Sequence, residues 1–271
     1  MAPSQYDAIG DKYKVIKALP TALVDKSNLH AAIAPHIQNA RALDLACGTG
    51  FFSRLLLTWG ASSVLGIDLS PAMISVAQRE ASSLSNRLSF LVSDATTLGY
   101  IDPTGPAFDH AIGAWLLHYA ADEDQLTRMF TTVSSNLDSP TSVFVGIASR
   151  PVPQAEMDAF ANSEKSQTQL EDFLRVKTSY YARNERVEGG WCVKVTSVDD
   201  EAVKFRNYHL PTEVYERAAR KGGMCERLEW REVKLHEDVR EEAIREFGRE
   251  FWDVYFEVGP HFGLLVVEKG V

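Results

Sequence analysis

No run of 18 apolar residues occurs in the 271-residue chain, so no membrane-spanning helix is expected. The first residues, Met1 to Asp7, lack a basic stretch followed by an apolar core, so no secretory signal is expected either. Cysteine is scarce. Cys47, Cys192 and Cys225 are odd in number and lack metal-ligand spacing, which predicts reduced thiols, a cytoplasmic setting and no metal site. Basic residues are outnumbered, 28 Lys and Arg against 37 Asp and Glu, for a net charge of −9. That balance argues against nucleic acid or a membrane surface as partner, although it leaves room for a local basic pocket. Internal repeats and low-complexity tracts are also missing.

The 45% apolar and 24% charged residues describe an ordinary globular chain, long enough for one large domain. Residues 6–37 show helical spacing in two pieces broken at Pro20, and form a helical lid within 1–38. Strands are expected at 41–46, 63–67, 88–92, 108–114 and 142–148, with helices at 50–58, 71–84 and 122–136 between them. Ser70-Pro71 supplies a capping residue and a first-turn proline, and Asp122, Glu123 and Asp124 suit a helix start. This alternation predicts an α/β, doubly wound, seven-stranded, mostly parallel sheet in a single domain over 1–271, with its core at 39–150. Residues 151–210 read as a cap inserted after strand five, with a polar helix at about 154–175 and a strand at 203–210. Over 211–271, a helix to about 221, a strand at 226–233, a charged helix at 238–256 and a last strand at 263–268 complete the sheet as an edge hairpin.

The chemistry gathers in Arg41 to Ser53. A buried strand carrying Asp44 runs into Gly48-Thr49-Gly50, a turn that lets backbone approach a ligand and aims helix N–H groups at it. Asp68, 18 positions after Gly50, sits where an acid can bond ribose hydroxyls. Asp94-Ala95 follows strand three and can address an adenine edge. A dinucleotide site would want a third glycine, where this chain has Ser53. Asp44 has two readings, positioning a ligand ammonium or capping the turn.

These segments resemble the class I S-adenosylmethionine-dependent methyltransferases. Leu43 to Gly50 is similar to their glycine motif, Gly66 to Met73 to the ribose motif, and Ser93-Asp94-Ala95 to the adenine motif. Tyr6 to Gly10, Phe51 to Arg54, Ala114 to Ala120 and Phe251 to Tyr255 further resemble the toxoflavin-type small-molecule N-methyltransferases. The resemblance implies a Rossmann-like methyltransferase fold and S-adenosylmethionine as cofactor, with S-adenosylhomocysteine as product. It places Ala46, Gly48 and Gly50 at the methionine end, Asp68 on the ribose, and Leu69 and Met73 on the adenine. Asp94 and Ala95 take the adenine edge, Ala114 and Leu116 line the site after strand four, and Tyr13 closes over the methionine carboxylate. The expected reaction is methyl transfer to nitrogen or oxygen of a small, flat acceptor, in a monomer or homodimer, of the kind that serves natural-product pathways. The alternatives are a non-methylating reaction on the same fold and a non-catalytic binding module.

Alignment carries most of such a transfer. A phenol or alcohol also needs a proton acceptor, for which His118 is the candidate base. Tyr6, Trp115, Tyr119, Tyr181 and His209 are the candidate substrate residues; each also reads as ordinary packing. Cys47 reads as a small buried residue. Arg183 and Arg186 read as facing water.

Overall fold

The computed structural model describes residues 4–81, 86–97, 99–102, 105, 107–149, 152–162, 171, 175–258 and 262–270. The chain starts with a 3-10 turn at Gly10–Tyr13, then α1 (Lys14–Lys17) and α2 (Thr21–Ile33). The Rossmann-like half follows as β1 (Arg41–Leu45), α3 (Phe51–Thr58), β2 (Ser63–Asp68), α4 (Pro71–Glu80), β3 (Leu88–Val92), β4 (His110–Ala114), α5 (Glu123–Asn136) and β5 (Val143–Ser149). Next come α6 (Gln154–Ala161) and the strands β6 (Val176–Arg183), β7 (Trp191–Ser197) and β8 (Lys204–His209). The chain closes with α7 (Thr212–Lys221), β9 (Met224–Arg231), α8 (Glu237–Phe247), α9 (Arg249–Val258) and β10 (Phe262–Lys269).

Among the described residues the main sheet has seven strands in the order β3-β2-β1-β4-β5-β10-β9. β1 to β5 are parallel, and β10 runs antiparallel to both of its neighbours. Strand residues alternate between two apolar layers, which is what a sheet covered on both faces requires. Val143, Val145 and Ile147 join Leu29, Ile33 and Trp252 on one side, whereas Phe144 and Ala148 join Phe130, Leu126 and Tyr215 on the other.

Local chemistry sets the helix starts. Ser70 Oγ accepts the Met73 N–H at 3.2 Å ahead of Pro71, and Asp122 Oδ1 accepts the Gln125 N–H at 2.8 Å. α4 is described to Glu80, and the expected extension to 84 falls in 82–85, outside the described residues. The charged helix expected at 238–256 is two helices, because Gly248 takes φ +82° between them.

The cap differs most from expectation. Beyond α6, residues 163–170 and 172–174 of the expected helix lie outside the described residues. The rest is a three-stranded antiparallel sheet, β6-β7-β8, two strands more than the one expected. Trp191 is buried there, its Nε1 donating to Asp158 at 3.0 Å. Arg183 stacks on its ring at 4.1 Å and also bonds Asp158, so it does not simply face water.

The N-terminal segment is tied across the body. Ser70 Oγ donates to Asp7 Oδ1 at 2.6 Å, and the Gln5 side chain exchanges two 2.9 Å hydrogen bonds with the Arg206 backbone. No helix among the described residues is long and apolar enough to cross a membrane.

Gly222 closes α7 against α5, and a Cβ there would stand 2.5 Å from Phe130 Cβ and 2.9 Å from the Thr131 nitrogen. Gly222→Ala is therefore expected to destabilise the fold by about 1–3 kcal/mol, as overpacking does. Urea unfolding would show a lower midpoint at an unchanged slope.

Candidate functional site

The strand order turns between β1 and β4, and loops leaving the carboxyl ends of such strands part to form a crevice. Both loops begin under strain. Ala46 directly follows β1 with φ +57°, and Trp115 directly follows β4 with φ +68°, a region non-glycine residues seldom enter. Neighbours hold Trp115 in place. Its N–H donates to Ile147 O at 2.9 Å, and its indole Nε1 donates to Asp25 Oδ2 on α2 at 3.0 Å.

The two turn glycines do different work. Gly48 has φ +54° and no atom within 4 Å of where a Cβ would sit, so bare backbone faces the crevice. Its N–H donates to Asp68 Oδ2 at 2.9 Å, and the other Asp68 oxygen accepts the Ser70 N–H at 2.8 Å. A carboxylate has about four acceptor positions, so Asp68 keeps capacity for ligand hydroxyls. Gly50, at φ +74°, faces away: a Cβ there would stand 2.7 Å from the Phe90 ring. It precedes the first turn of α3 and is not among the residues lining the crevice's cavity.

A cavity of about 50 Å³ lies over this turn. Asp44, Ala46, Gly48 and Asp68 form its floor, Met73, Ala114, Phe51 and Phe52 its sides, and Tyr6, Tyr13, Lys17, Trp115 and Tyr119 close it. The Tyr6 and Tyr119 hydroxyls hydrogen-bond to each other across the top, with their rings edge-on at 5.9 Å.

Burial dominates the electrostatics. Asp44 is 1% exposed, and its carboxyl is pushed up to about 7, although Ser53 Oγ donates to it at 2.5 Å. Asp25, 6% exposed, is pushed up to about 6 by burial against the opposing pull of Lys17 and of the Trp115 hydrogen bond. Its Oδ1 has no hydrogen-bond partner among the described residues. Lys17 is pulled down by burial and held back by the charges of Asp25 and Asp44; its Nζ lies 4.9 Å from the Phe52 ring centre. Burial also pushes the Tyr6, Tyr13 and Tyr119 phenols up, so they stay neutral.

Residues 42–139 match the family model described as a methyltransferase domain. The chain has the architecture of a class I S-adenosylmethionine-dependent methyltransferase. A Mesorhizobium loti S-adenosylmethionine-dependent methyltransferase shares the fold at 23% identity, with a TM-score of 0.55 over 91% of this chain and 98% of that one. The CcbJ methyltransferase of Streptomyces caelestis does so at 14% identity and a TM-score of 0.63, over 99% of both chains. A malonyl-[acyl-carrier protein] O-methyltransferase of a Paenibacillus species is 31% identical over 150 residues, 50% of this chain and 52% of that protein. The chain thus spans about half the length of the curated relatives it matches. These similarities imply S-adenosylmethionine as the cofactor, and the crevice has groups that fit it. Gly48 offers open backbone, Asp68 a carboxylate at the tip of β2, and Lys17 and Asp44 opposite charges for an amino-acid end.

Of the residues expected from sequence, Tyr6, Tyr13, Ala46, Gly48, Asp68, Met73, Ala114, Trp115 and Tyr119 meet at the cavity. Leu69, Asp94, Ala95 and Leu116 are not on its wall. Leu69 is 38% exposed beside it, Asp94 bonds the Thr96 N–H and hydroxyl at 2.8 and 2.7 Å, and Ala95 and Leu116 join the apolar layer beneath α5.

His118 is not placed to be a base. It is 1% exposed, packed edge-on to Trp115, and lowered by burial to about 3, so it is a weak acceptor behind the wall. Tyr181 is 51% exposed on the cap, and His209 is buried with Nδ1 at 2.8 Å from the Tyr180 hydroxyl; neither reaches the cavity. Lys17 and Asp25 were missed. Lys17 had one faint signal, since it lies four residues after Tyr13 and so on the same helical face.

Asp44 makes stability pH-dependent. An exposed aspartate titrates near ~3.9, so between there and about 7 the folded state holds a proton the unfolded chain has lost. Its contribution therefore falls as pH rises through that window and is level above it. Asp44→Asn should lose less stability than the parent between pH 5 and pH 8 in ligand-free urea titrations. Parallel curves would refute the buried carboxyl.

Proposed function

We propose that this protein transfers a methyl group from S-adenosylmethionine to a heteroatom of a small, flat acceptor. The carrying observation is the crevice at the sheet's turning point, where Gly48, Asp68 and Lys17 face the aromatic side chains Tyr6, Tyr13, Trp115 and Tyr119. When bound, the cofactor supplies an activated methyl on a sulfonium. The chain's own residues bind and orient. Asp68 accepts ribose hydroxyls, Met73 packs on the adenine, and Lys17 with Asp44 pairs the carboxylate and ammonium of the methionine end. The aromatic walls hold a flat acceptor in line and keep water out, which is worth roughly 7–11 kcal/mol in well-aligned reactions.

Among the described residues no imidazole lines the cavity, and the three phenols are held protonated, which favours an acceptor that needs no strong base. A ring or amine nitrogen meets that condition, in keeping with the toxoflavin-type resemblance. A carboxylate oxygen meets it too, and the Paenibacillus relative, named for O-methylation of a malonyl carrier, supports that second reading.

Access requires movement. Sites for ligands of this size usually hold ~300–1,000 Å³, more than the room under the tyrosines, and parting of Tyr6 from Tyr119 is the expected way in for a nucleoside.

Titrating the protein with S-adenosylhomocysteine should raise its melting temperature, because a ligand of the folded state stabilises it. Asp68→Ala should abolish that shift, and its persistence would overturn the cofactor site. Lys17→Met should weaken S-adenosylhomocysteine about tenfold, the loss of one charge-assisted contact, while leaving 5′-methylthioadenosine, which lacks the amino-acid end, unchanged. Incubation of methyl-labelled cofactor with aromatic amines, N-heterocycles and carboxylic acids tests transfer itself; an absence of label in every product would sink it.

A further inference from the structure

The outward face of the cap sheet contradicts the acidity of the chain. Opposed residues in antiparallel strands point to the same side. The register therefore sets Lys177, Thr196 and Lys204 on one rung, and Ser179, Lys194 and Arg206 on the next. Strands lie about 4.8 Å apart and advance about 6.8 Å per two residues, so the four cations rise from a patch of roughly 10 by 7 Å. All four are exposed. The nearest turn acids are already engaged, Asp199 with Arg175 at 2.5 Å and Asp200 with Lys12 at 3.5 Å. No ion pair to the four cations occurs among the described residues. Lys194 and Arg206 stand directly opposite each other, an unfavourable arrangement for like charges without a counter-ion.

Lys194, Lys204 and Arg206, with Gln5 and Phe205, line a cavity of about 340 Å³. At its margin the Arg206 guanidinium lies 5.8 Å from the ring of Tyr181, whose exposure leaves a face free for stacking. We propose that this cavity binds a phosphate ester of mononucleotide size, its phosphate held by Lys194, Lys204 and Arg206 and its flat ring laid against Tyr181. Guanidinium and ammonium groups are the natural phosphate partners, and the Ser179 and Thr196 hydroxyls add donors on the same rungs. The patch is too short for a polymer. Its two rungs span roughly 10 by 7 Å, room for one or two phosphates and not for a longer run of a polymer backbone.

The test is calorimetric titration of the whole protein with ADP, pyrophosphate, adenosine and a single-stranded RNA decamer, at matched ionic strength. Saturable binding of ADP and of pyrophosphate is expected, with little binding of adenosine at this site. The variant combining Lys194→Gln, Lys204→Gln and Arg206→Gln should lose at least tenfold in affinity for both. A control neutralising the exposed Arg220, Lys234 and Arg245 should lose less than twofold. Tyr181→Ala should weaken ADP severalfold and leave pyrophosphate unchanged; equal effects on both would confine the proposal to an anion site without ring recognition and overturn its nucleotide part. Because an adenine could also enter the cofactor crevice, ADP must not be displaced by S-adenosylhomocysteine. Displacement, an unaffected triple variant, or no saturable binding would each overturn the proposal. RNA bound tenfold more tightly than ADP would replace it with a nucleic-acid surface.

Discussion

The Asp68 carboxylate pins the crevice together. One oxygen holds the Gly48 N–H of the turn after β1, and the other holds the Ser70 N–H that opens α4. Two loops from neighbouring strands thus converge on one side chain, which is itself the group suited to ribose. Ser70 extends the chain of contacts, capping α4 through its hydroxyl oxygen and donating to Asp7 of the lid. A substitution at Asp68 therefore loosens glycine turn, helix start and lid attachment together. Lys17 takes no part in these contacts and is the sharper probe of binding.

Around this pin the crevice concentrates charges that water would normally hold. Asp25, Asp44 and Lys17 come from α2, β1 and α1, and their mutual attraction, with hydrogen bonds from Trp115 to Asp25 and from Ser53 to Asp44, offsets part of the desolvation. Such an arrangement costs stability in the free protein, and in the proposed complex the zwitterionic end of the cofactor would complete it. The orphaned Asp25 oxygen and the strained Trp115 backbone belong to the same arrangement.

The sequence showed most clearly what depends on neighbours in the chain. The Ser70-Pro71 cap, the glycine turn and Asp68 are local chemistry, and they were legible. Lys17 and Asp25 were not, because their meaning arises when the lid folds back; Asp25 meets Trp115 from 90 positions away. The cap strands were hidden for another reason. β6 slips register between Tyr180 and Ala182, which breaks the alternation that would have marked it. His118 looked like a base because it follows strand four, and only packing shows that it is sealed behind Trp115. Gly248 was visible, but the charge pattern on either side of it reads as one helix.

The hold of Gln5 on Arg206 has a consequence for solubility. β8 is an edge strand, and its free peptide groups could pair with another molecule. The Gln5 amide imitates a peptide, giving a hydrogen to the Arg206 carbonyl and taking one from its N–H. On the proposed opening of the lid, that shield would go with it and leave the edge open. Lys204 and Arg206 would then remain as gatekeepers on the exposed strand, protection by charge in place of protection by pairing.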